Sequence, residues 1–261
     1  MNNVIEKLTS KYPQLLMPIE KGIKDSEEYK DVVLRGLPCR YKETFIKDSK
    51  DSLETINTLA GDVDVITFRI REDFIHAVRA LGNRCEPVEV PDSTGAMTIF
   101  GLNNWEKVRA GEENYKDSII ILSSGNYSNV SNNDVMLVTN GEIELTQDEW
   151  IDLSITIRKY HELTHVIMRK LYPDNINPIR DELIADSVGL VGAFGKFDDR
   201  LLKIFLGIDR DTYRKGARLE NYEGGNEESI PQVKEMIESL KAKLVSYNDP
   251  SQIWNSLERF I

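Results

Sequence analysis

The chain has 261 residues, of which 40% are hydrophobic and 30% charged, and its formal net charge at pH 7 is −11. This length can supply the core of one large domain or two modest ones. The acidic balance argues against a nucleic-acid or membrane partner, because both bind a broad cationic face. No apolar run approaches the ~20 residues that span a bilayer, and the N-terminal residues lack the apolar core of a secretory signal. With Cys39 and Cys85 read as reduced thiols, we expect a cytoplasmic protein.

The N-terminal half alternates between helical and strand patterns. Apolar spacing over the first sixty residues predicts two or three amphipathic helices, and DFIHAVRALG predicts a short helix closed by Gly82. The segment GNYSNVSNND is rich in Gly, Asn and Ser, which is typical of a turn or surface loop. Runs of β-branched and apolar residues predict four strands, at 62–72, 96–102, 117–124 and 134–140.

From Thr146 onward the pattern is that of long helices. Thr146 and Glu149 form a capping box at the start of a helix that ends before Tyr172-Pro173. A second helix begins at Asn177-Pro178, an N-cap followed by proline, and glycines at 189, 192 and 195 are expected to loosen its far end. Later helices are predicted at 197–207, 211–222, 229–247 and near the C-terminus.

This order of elements predicts an α+β fold in one catalytic unit, 1–261. We expect a small mixed sheet with helices in an N-terminal subdomain at 1–145. A helical subdomain at 146–261 would follow it and carry the functional site.

The first long helix contains the sequence His161-Glu162-Leu-Thr-His165. Residues four apart lie one turn above each other on a helix, so both imidazoles can reach one ion. Glu162 stands one position around the helix, where it suits a general base, because zinc lowers the pKa of its bound water. The pattern HExxH on a predicted helix therefore indicates a zinc site. The alternative is that both histidines have ordinary hydrogen-bonding or surface roles.

A catalytic zinc ion needs a third protein ligand and an open fourth position. The second helix offers Glu182 and Asp186 four residues apart, and the short connection at 172–177 makes the two helices antiparallel neighbours. Glu182 could complete a His-His-Glu site, while Asp186 could accept the remaining N–H of a ligand histidine. Asp181 is a rival to Glu182 as the third ligand. His76, which lacks partners at ligand spacing, is interpreted as structural.

The motif HELTH followed by ELIAD resembles the gluzincin branch of the zincin metallopeptidases, in which HExxH is followed by ExxxD on the next active-site helix. The resemblance covers the two motifs and the strand-then-helix order before them, about residues 118–190. It implies a zincin-like fold, with His161, His165 and Glu182 as zinc ligands. It also implies that Glu162 is the base and that Asp186 hydrogen-bonds a ligand.

The same resemblance implies a cleft that binds an extended peptide along an exposed strand edge, and the predicted strand 134–140 is the candidate. It further implies a group that stabilises the oxyanion. Arg214, Arg218 and Tyr222 have helical i, i+4, i+8 spacing, and Arg218 or Tyr222 could face the cleft. A solvated helix face would explain the same residues.

We therefore expect a zinc-dependent hydrolase, a metallopeptidase that cleaves a peptide or protein substrate. Two alternatives stay open. One is a catalytically inactive zinc-binding regulatory or interaction module, because a motif alone does not establish turnover. The other is a helical interaction protein that binds no metal.

Overall fold

The computed structural model of the protein describes residues 4–42, 44–174, 177–209 and 212–261. The chain divides into two compact units, Met1–Ser124 and Gly125–Ile261. The first combines short helices with a small mixed sheet and the second is mainly helical, so the fold is α+β as predicted. Within the described ranges, no helix is both long enough and apolar enough to cross a membrane.

The described residues of the first unit form four strands and four short α-helices, with further short 3₁₀ helices near the N-terminus. The strands are β1 (Ser52–Thr58), β2 (Gly61–Phe68), β3 (Ala96–Asn103) and β4 (Lys116–Ser123). The α-helices are α1 (Val4–Lys11), α2 (Glu27–Tyr29), α3 (Arg71–Ala77) and α4 (Trp105–Ala110), and π-helical segments at Lys30–Leu34 and Val78–Gly82 extend α2 and α3.

The sheet of the first unit has the strand order β1-β2-β4-β3. The two central strands, β2 and β4, are parallel, and each pairs antiparallel with its outer neighbour. Ile66, Phe68, Ile119 and Ile121 on the central strands share one face of the sheet and are fully buried, because they pack in one cluster with side chains of α1 and α3 such as Leu8 and Phe74. Three of the four strands correspond to predicted segments.

The outer strand β1 was not expected, because the first sixty residues predicted helices alone. A two-residue connection after Thr58 leads to Gly61, whose φ of 100° suits glycine, and β1 then pairs along the length of β2. The sequence SLETINT has a weak pattern because the strand is half-exposed at the edge of the sheet. The segment becomes a strand because it pairs with β2, and the spacing of apolar residues within the segment does not predict that pairing.

The second unit is built around two long helices, α6 (Gln147–Leu171) and α7 (Pro178–Phe194). Its other helices are α5 (Asn132–Val138), α8 (Asp199–Phe205), α9 (Ile230–Leu244) and α10 (Pro250–Trp254). Two residue pairs, Ile208–Asp209 (β5) and Thr212–Tyr213 (β6), form a small antiparallel ladder. The predicted capping box of Thr146 with Glu149 begins α6, and the side chain of Asn177 caps α7.

The predicted strand at 134–140 is wrong, because this segment belongs to helix α5. Ser131 and Asp134 form a capping box that starts the helix at Asn132, three residues before the apolar run that begins at Val135. The helix ends at Val138, and Asn140 then has a φ of 54°. An edge strand that binds peptide therefore cannot be formed by this segment.

The predicted helix at 211–222 is also wrong over the described residues, and position 211 itself lies outside them. Tyr213 belongs to β6, Gly216 has a φ of 75°, and a 3₁₀ helix follows at Arg218–Asn221. A left-handed glycine interrupts any continuous helix. The supposed i, i+4, i+8 face of Arg214, Arg218 and Tyr222 does not exist.

Helices α6 and α7 approach each other closely at two glycines. A Cβ at position 189 would lie 2.8 Å from the carbonyl oxygen of Ile157, and one at position 192 would lie 2.2 Å from the ring of Tyr160. The helix continues without interruption to Phe194. Gly189 and Gly192 therefore do not loosen α7 as predicted, since they allow its backbone to pack against α6.

The second unit begins at Gly125, whereas the sequence pattern placed a subdomain boundary after residue 145. The residues between these positions are attached to the later helices. The indole of Trp150 on α6 donates to the carbonyl of Val130 at 2.7 Å, and Arg200 on α8 donates to the carbonyl of Thr139 at 3.3 Å. These side-chain hydrogen bonds join α5 to the helical unit.

Candidate metal centre

His161 and His165 lie one turn apart on the buried face of α6, and their Nε2 atoms are 3.0 Å from each other. Helix α6 is fixed by its capping box at one end and by buried side chains such as Trp150 and Ile157 along its length. The HExxH sequence therefore folds in the helical context that the motif requires.

Glu182, from the second turn of α7, faces both imidazoles. Its Oε2 lies 3.4 Å from Nε2 of His161, and its Oε1 lies 3.4 Å from Nε2 of His165. These three residues form a group whose ligand atoms could hold one metal ion. The two helices thus bring together the three residues proposed from the sequence as ligands.

Each histidine is oriented by an aspartate on α7. Nδ1 of His161 lies 2.7 Å from Oδ1 of Asp186, and Nδ1 of His165 lies 3.0 Å from Oδ2 of Asp181. A carboxylate at Nδ1 holds the proton there and leaves Nε2 with its lone pair, which is the usual support for a metal-binding histidine. Asp181 therefore contacts Nδ1 of His165, whereas Glu182 faces Nε2 of both histidines.

The spacing and the charges of the cluster both fit a divalent ion. Ligand atoms bound tetrahedrally at about 2.0–2.1 Å are about 3.3 Å apart, and the distances among the three residues are 3.0, 3.4 and 3.4 Å. The carboxylates of Asp181, Glu182 and Asp186 carry three negative charges against the one positive charge of Arg218. The excess of negative charge around the two imidazoles favours a bound cation.

Arg218 lies against the carboxylates and not on an exposed helix face. Its Nη2 donates to Oε2 of Glu182 at 3.2 Å, and its Nη1 donates to Oδ2 of Asp186 at 2.9 Å and to the hydroxyl of Tyr127 at 2.9 Å. The side chain is 18% exposed. Arg218 therefore balances charge at the cluster, and both of its terminal nitrogens are engaged there.

Tyr222 also lies close to the cluster, with its ring 5.7 Å from the guanidinium carbon of Arg218. Its hydroxyl oxygen is buried and makes no hydrogen bond of ordinary geometry within the described part of the chain. Burial raises the pKa of Tyr222, and Asp186 and Glu182 add to that effect against the opposing charge of Arg218. The hydroxyl stays protonated and can donate to a further group.

Glu162 and His76 lie outside the ligand group. Glu162 is half-buried on α6, directly after His161, and it is not among the three residues that converge. His76 lies on α3 in the other unit, where its Nε2 is 2.8 Å from the carbonyl oxygen of Leu15 and its ring packs edge-on against Phe45. These contacts give His76 a structural environment, which agrees with its interpretation from the sequence.

The pKa shifts describe the cluster without metal. Burial disfavours a charged imidazole at His165, but Asp181 and Glu182 prevail and raise its pKa to about 10. Burial likewise opposes the ionised Glu182, yet His165, His161 and Arg218 hold its pKa well below its usual range. The pKa of Asp186 is lowered by Arg218 and His161 against the same cost of burial. In the metal-free protein, the proton on His165 therefore supplies part of the positive charge that a metal ion would bring to the cluster.

Sequence reasoning missed Tyr127 altogether. Its buried hydroxyl lies 2.5 Å from Oδ1 of Asp186 and 3.2 Å from Nδ1 of His161. Burial raises its pKa well above the usual range, so it too stays protonated. The signal available in the sequence was a single aromatic residue in an otherwise polar Gly/Asn/Ser segment.

Comparisons with known proteins identify a family without an assigned activity. A model described as a family of unknown function, DUF7005, matches residues 1–114 and 109–256. No curated protein and no solved structure matches the chain. Because the two matches together span most of the sequence, the chain belongs to this family of unknown function, DUF7005.

Proposed function

We propose that this protein is a zinc-dependent hydrolase, specifically a gluzincin-like metallopeptidase that acts on a peptide or protein. One observation carries the proposal. The Nε2 atoms of His161 and His165 face the carboxylate of Glu182 at 3.4 Å while an aspartate holds each Nδ1. Two buried histidines without a metal would not need the three carboxylates of Asp181, Glu182 and Asp186 around them to satisfy their hydrogen bonds. Two imidazoles and one carboxylate are the ligand set of many catalytic zinc sites, which leave a fourth position open.

When bound at these residues, Zn²⁺ would polarise an amide carbonyl and lower the pKa of a coordinated water. The side chain of Glu162, beside the ligands on α6, would accept the proton of the attacking water. It would then deliver that proton to the leaving amine. His161, His165 and Glu182 would hold the ion, and Asp181 and Asp186 would keep the imidazoles in the binding tautomer.

The developing negative charge on the substrate oxygen needs a donor, and Tyr222 is better suited than Arg218. The Tyr222 hydroxyl is protonated, buried and without a hydrogen bond of ordinary geometry among the described residues. Both terminal nitrogens of Arg218 are already bonded to carboxylates. A protonated donor that already lies beside the ligand group can serve the transition state at little cost in reorganisation.

The test is Glu162→Gln, which keeps the size and reach of the side chain but removes its basicity. We expect purified wild-type protein to contain about one zinc per chain and to cleave members of a peptide library. The variant should retain its zinc and lose hydrolysis by ~10²–10⁴-fold, the usual contribution of a positioned acid or base. His76→Gln, in the other unit, is the control and should retain both properties.

Four outcomes would contradict the assignment. Loss of zinc from Glu162→Gln would make Glu162 a ligand or a structural support and not the base. Full activity in that variant would place the chemistry elsewhere. A wild-type protein that holds zinc and cleaves no peptide would favour the inactive zinc-binding regulatory or interaction module, and one that holds no metal would favour an interaction protein.

A further inference from the structure

The loop at residues 125–130 is attached to one face of α6. Arg158 donates from Nη1 to the carbonyl of Gly125 at 2.8 Å and from Nη2 to that of Asn126 at 2.7 Å. The backbone N–H of Tyr127 donates to Oγ of Ser154 at 3.0 Å, and the indole of Trp150 donates to the carbonyl of Val130 at 2.7 Å. These side chains are four residues apart along α6, so they lie in one row, and His161 follows Arg158 three residues later on the adjacent turn.

The backbone of this loop is held in a costly conformation. Ser128 and Asn129 have φ values of 54° and 56°, in the left-handed region that side chains disfavour. The hydroxyl of Ser128 donates to the carbonyl of Phe205, and the ring of Phe205 packs edge-on against Tyr127. Such conformations persist where the surroundings determine them strongly, and they are frequent at functional sites.

These attachments fix the position of the Tyr127 hydroxyl. The O–H of Tyr127 reaches Oδ1 of Asp186 at 2.5 Å, and its oxygen accepts from Nη1 of Arg218 at 2.9 Å. Asp186 is fully buried, so its carboxylate depends on protein donors. Oδ1 receives Tyr127 and His161, and Oδ2 receives Arg218.

The direction of these hydrogen bonds sets the tautomer of His161. Its Nδ1 is 2.7 Å from Asp186 and 3.2 Å from the Tyr127 oxygen, whose own proton is directed to Asp186. An ionised carboxylate only accepts, so Nδ1 must carry the hydrogen. Nε2 then presents its lone pair toward Glu182.

We propose that Tyr127 is a positioning residue for the metal site, which acts by fixing the Asp186 carboxylate that orients His161. The inference rests on the proposed function for its metal, although its geometry is that of the metal-free protein. Tyr127 does not touch the ion. It completes the donor set of Asp186, and the 125–130 loop serves to hold it there.

The experiment compares Tyr127→Phe with the wild type and with Tyr247→Phe. Tyr247 lies in the same unit, where its hydroxyl is 3.1 Å from Oγ of Ser256, so the control removes the same atom elsewhere. Zn²⁺ affinity is measured by competition with a chromogenic chelator, and the visible spectrum is recorded with Co²⁺ in place of zinc. The melting temperature of each metal-free protein is measured alongside.

We expect Tyr127→Phe to bind Zn²⁺ about 10–100-fold more weakly and to shift the Co²⁺ absorption bands, as loss of an outer partner does. Tyr247→Phe should change neither. A purely structural tyrosine would lower the melting temperature while leaving the affinity and the spectrum of the folded protein unchanged, and that result would overturn the proposal.

A second measurement needs no variant. Nitrogen NMR of histidine-labelled, metal-free wild type should show His161 protonated at Nδ1, with a cross-peak from that proton to the Tyr127 ring. Protonation at Nε2 alone would overturn the positioning role whether or not Tyr127→Phe folds. The two proposals are separable. Wild type that binds zinc, with Tyr127→Phe indistinguishable from it, removes only the role of Tyr127, whereas wild type without metal removes the hydrolase.

Discussion

Gly189 on α7 packs directly against the backbone of Ile157 on α6, one turn before His161. A Cβ at position 189 would lie 2.8 Å from the Ile157 carbonyl oxygen, closer than side chains approach backbone atoms. The close packing of the two helices of the candidate metal centre therefore requires a residue without a side chain at position 189. This close approach lies on the same pair of helices that carries the histidines and Glu182, so a change in helix separation would reach the cluster.

The first prediction concerns Gly189→Ala. Glycine to alanine inside a helix ordinarily stabilises by roughly 0.5–1 kcal/mol. Here the added methyl group meets backbone that cannot move aside, so we expect a net loss of about 1–3 kcal/mol in denaturant unfolding, together with weaker Zn²⁺ binding. Gly82→Ala is a matched control, because the nearest obstacle there is the flexible side chain of Met97 and the loss should be smaller. Equal stability of Gly189→Ala and wild type would show that the helices can separate freely.

The second prediction concerns metal content. His165→Ala removes one of the three proposed ligands, and two ligands do not hold a catalytic ion as three do. We expect about one zinc per chain in the wild type and close to none in the variant, measured by elemental analysis of purified protein. His76→Ala should keep its zinc, since His76 binds a backbone carbonyl in the other unit. Stoichiometric zinc in His165→Ala would eliminate the site.

The third prediction distinguishes the two adjacent acidic residues of α7. Glu182 faces Nε2 of both histidines, whereas Asp181 reaches only Nδ1 of His165. Glu182→Ala should therefore release zinc much more completely than Asp181→Ala, which should weaken binding about 10–100-fold. Chelator competition on both variants measures the difference. If the two bind zinc equally well, Glu182 is not the third ligand.

The fourth prediction concerns pH. In the metal-free protein, Asp181 and Glu182 raise the pKa of His165 from 6.5 to about 10 against the effect of burial. A group whose pKa is raised on folding stabilises fully below its unfolded value and loses that contribution as pH rises toward the folded value. The melting temperature with chelator present should therefore fall between pH 6.5 and about 10. Stabilisation by added Zn²⁺ should grow over the same range, because the metal replaces the proton.

His165→Ala supplies the control for that pH series. Without the imidazole, the metal-free protein should lose most of its dependence on pH in this window. A wild-type melting temperature that rises from pH 6.5 upward, measured in chelator, would mean that His165 is not held protonated by its neighbours.

The parts of the structure that the sequence predicted well are those governed by local rules. The capping residues Thr146 and Asn177 place the starts of α6 and α7, and the short connection between the helices places Glu182 opposite the histidines. Asp186 was named as a partner for either histidine, and its contact with His161 follows from the spacing along α7. Helical periodicity and capping are read within a few residues, so tertiary structure is not needed to find them.

The failures share a different physical origin. Strand β1 forms by pairing with β2, and α5 begins at a cap that lies outside its apolar run. Arg218 and Tyr222 reach the cluster although the helix proposed to carry them does not exist. The role of Tyr127 depends on contacts with α6, α7 and Arg218 that are distant along the chain. None of these contacts leaves a periodic trace in the sequence.

The connection between α6 and α7 also bears on the order of folding. His161, His165 and Glu182 come from helices that are consecutive in the chain, so little loop entropy opposes their meeting. Tyr127 and Arg218 must close much longer loops to reach the same residues. We expect the helical hairpin to form early and zinc to accelerate refolding by capturing it. The 125–130 loop and the segment that carries Arg218 would then close over a site that already holds its ion.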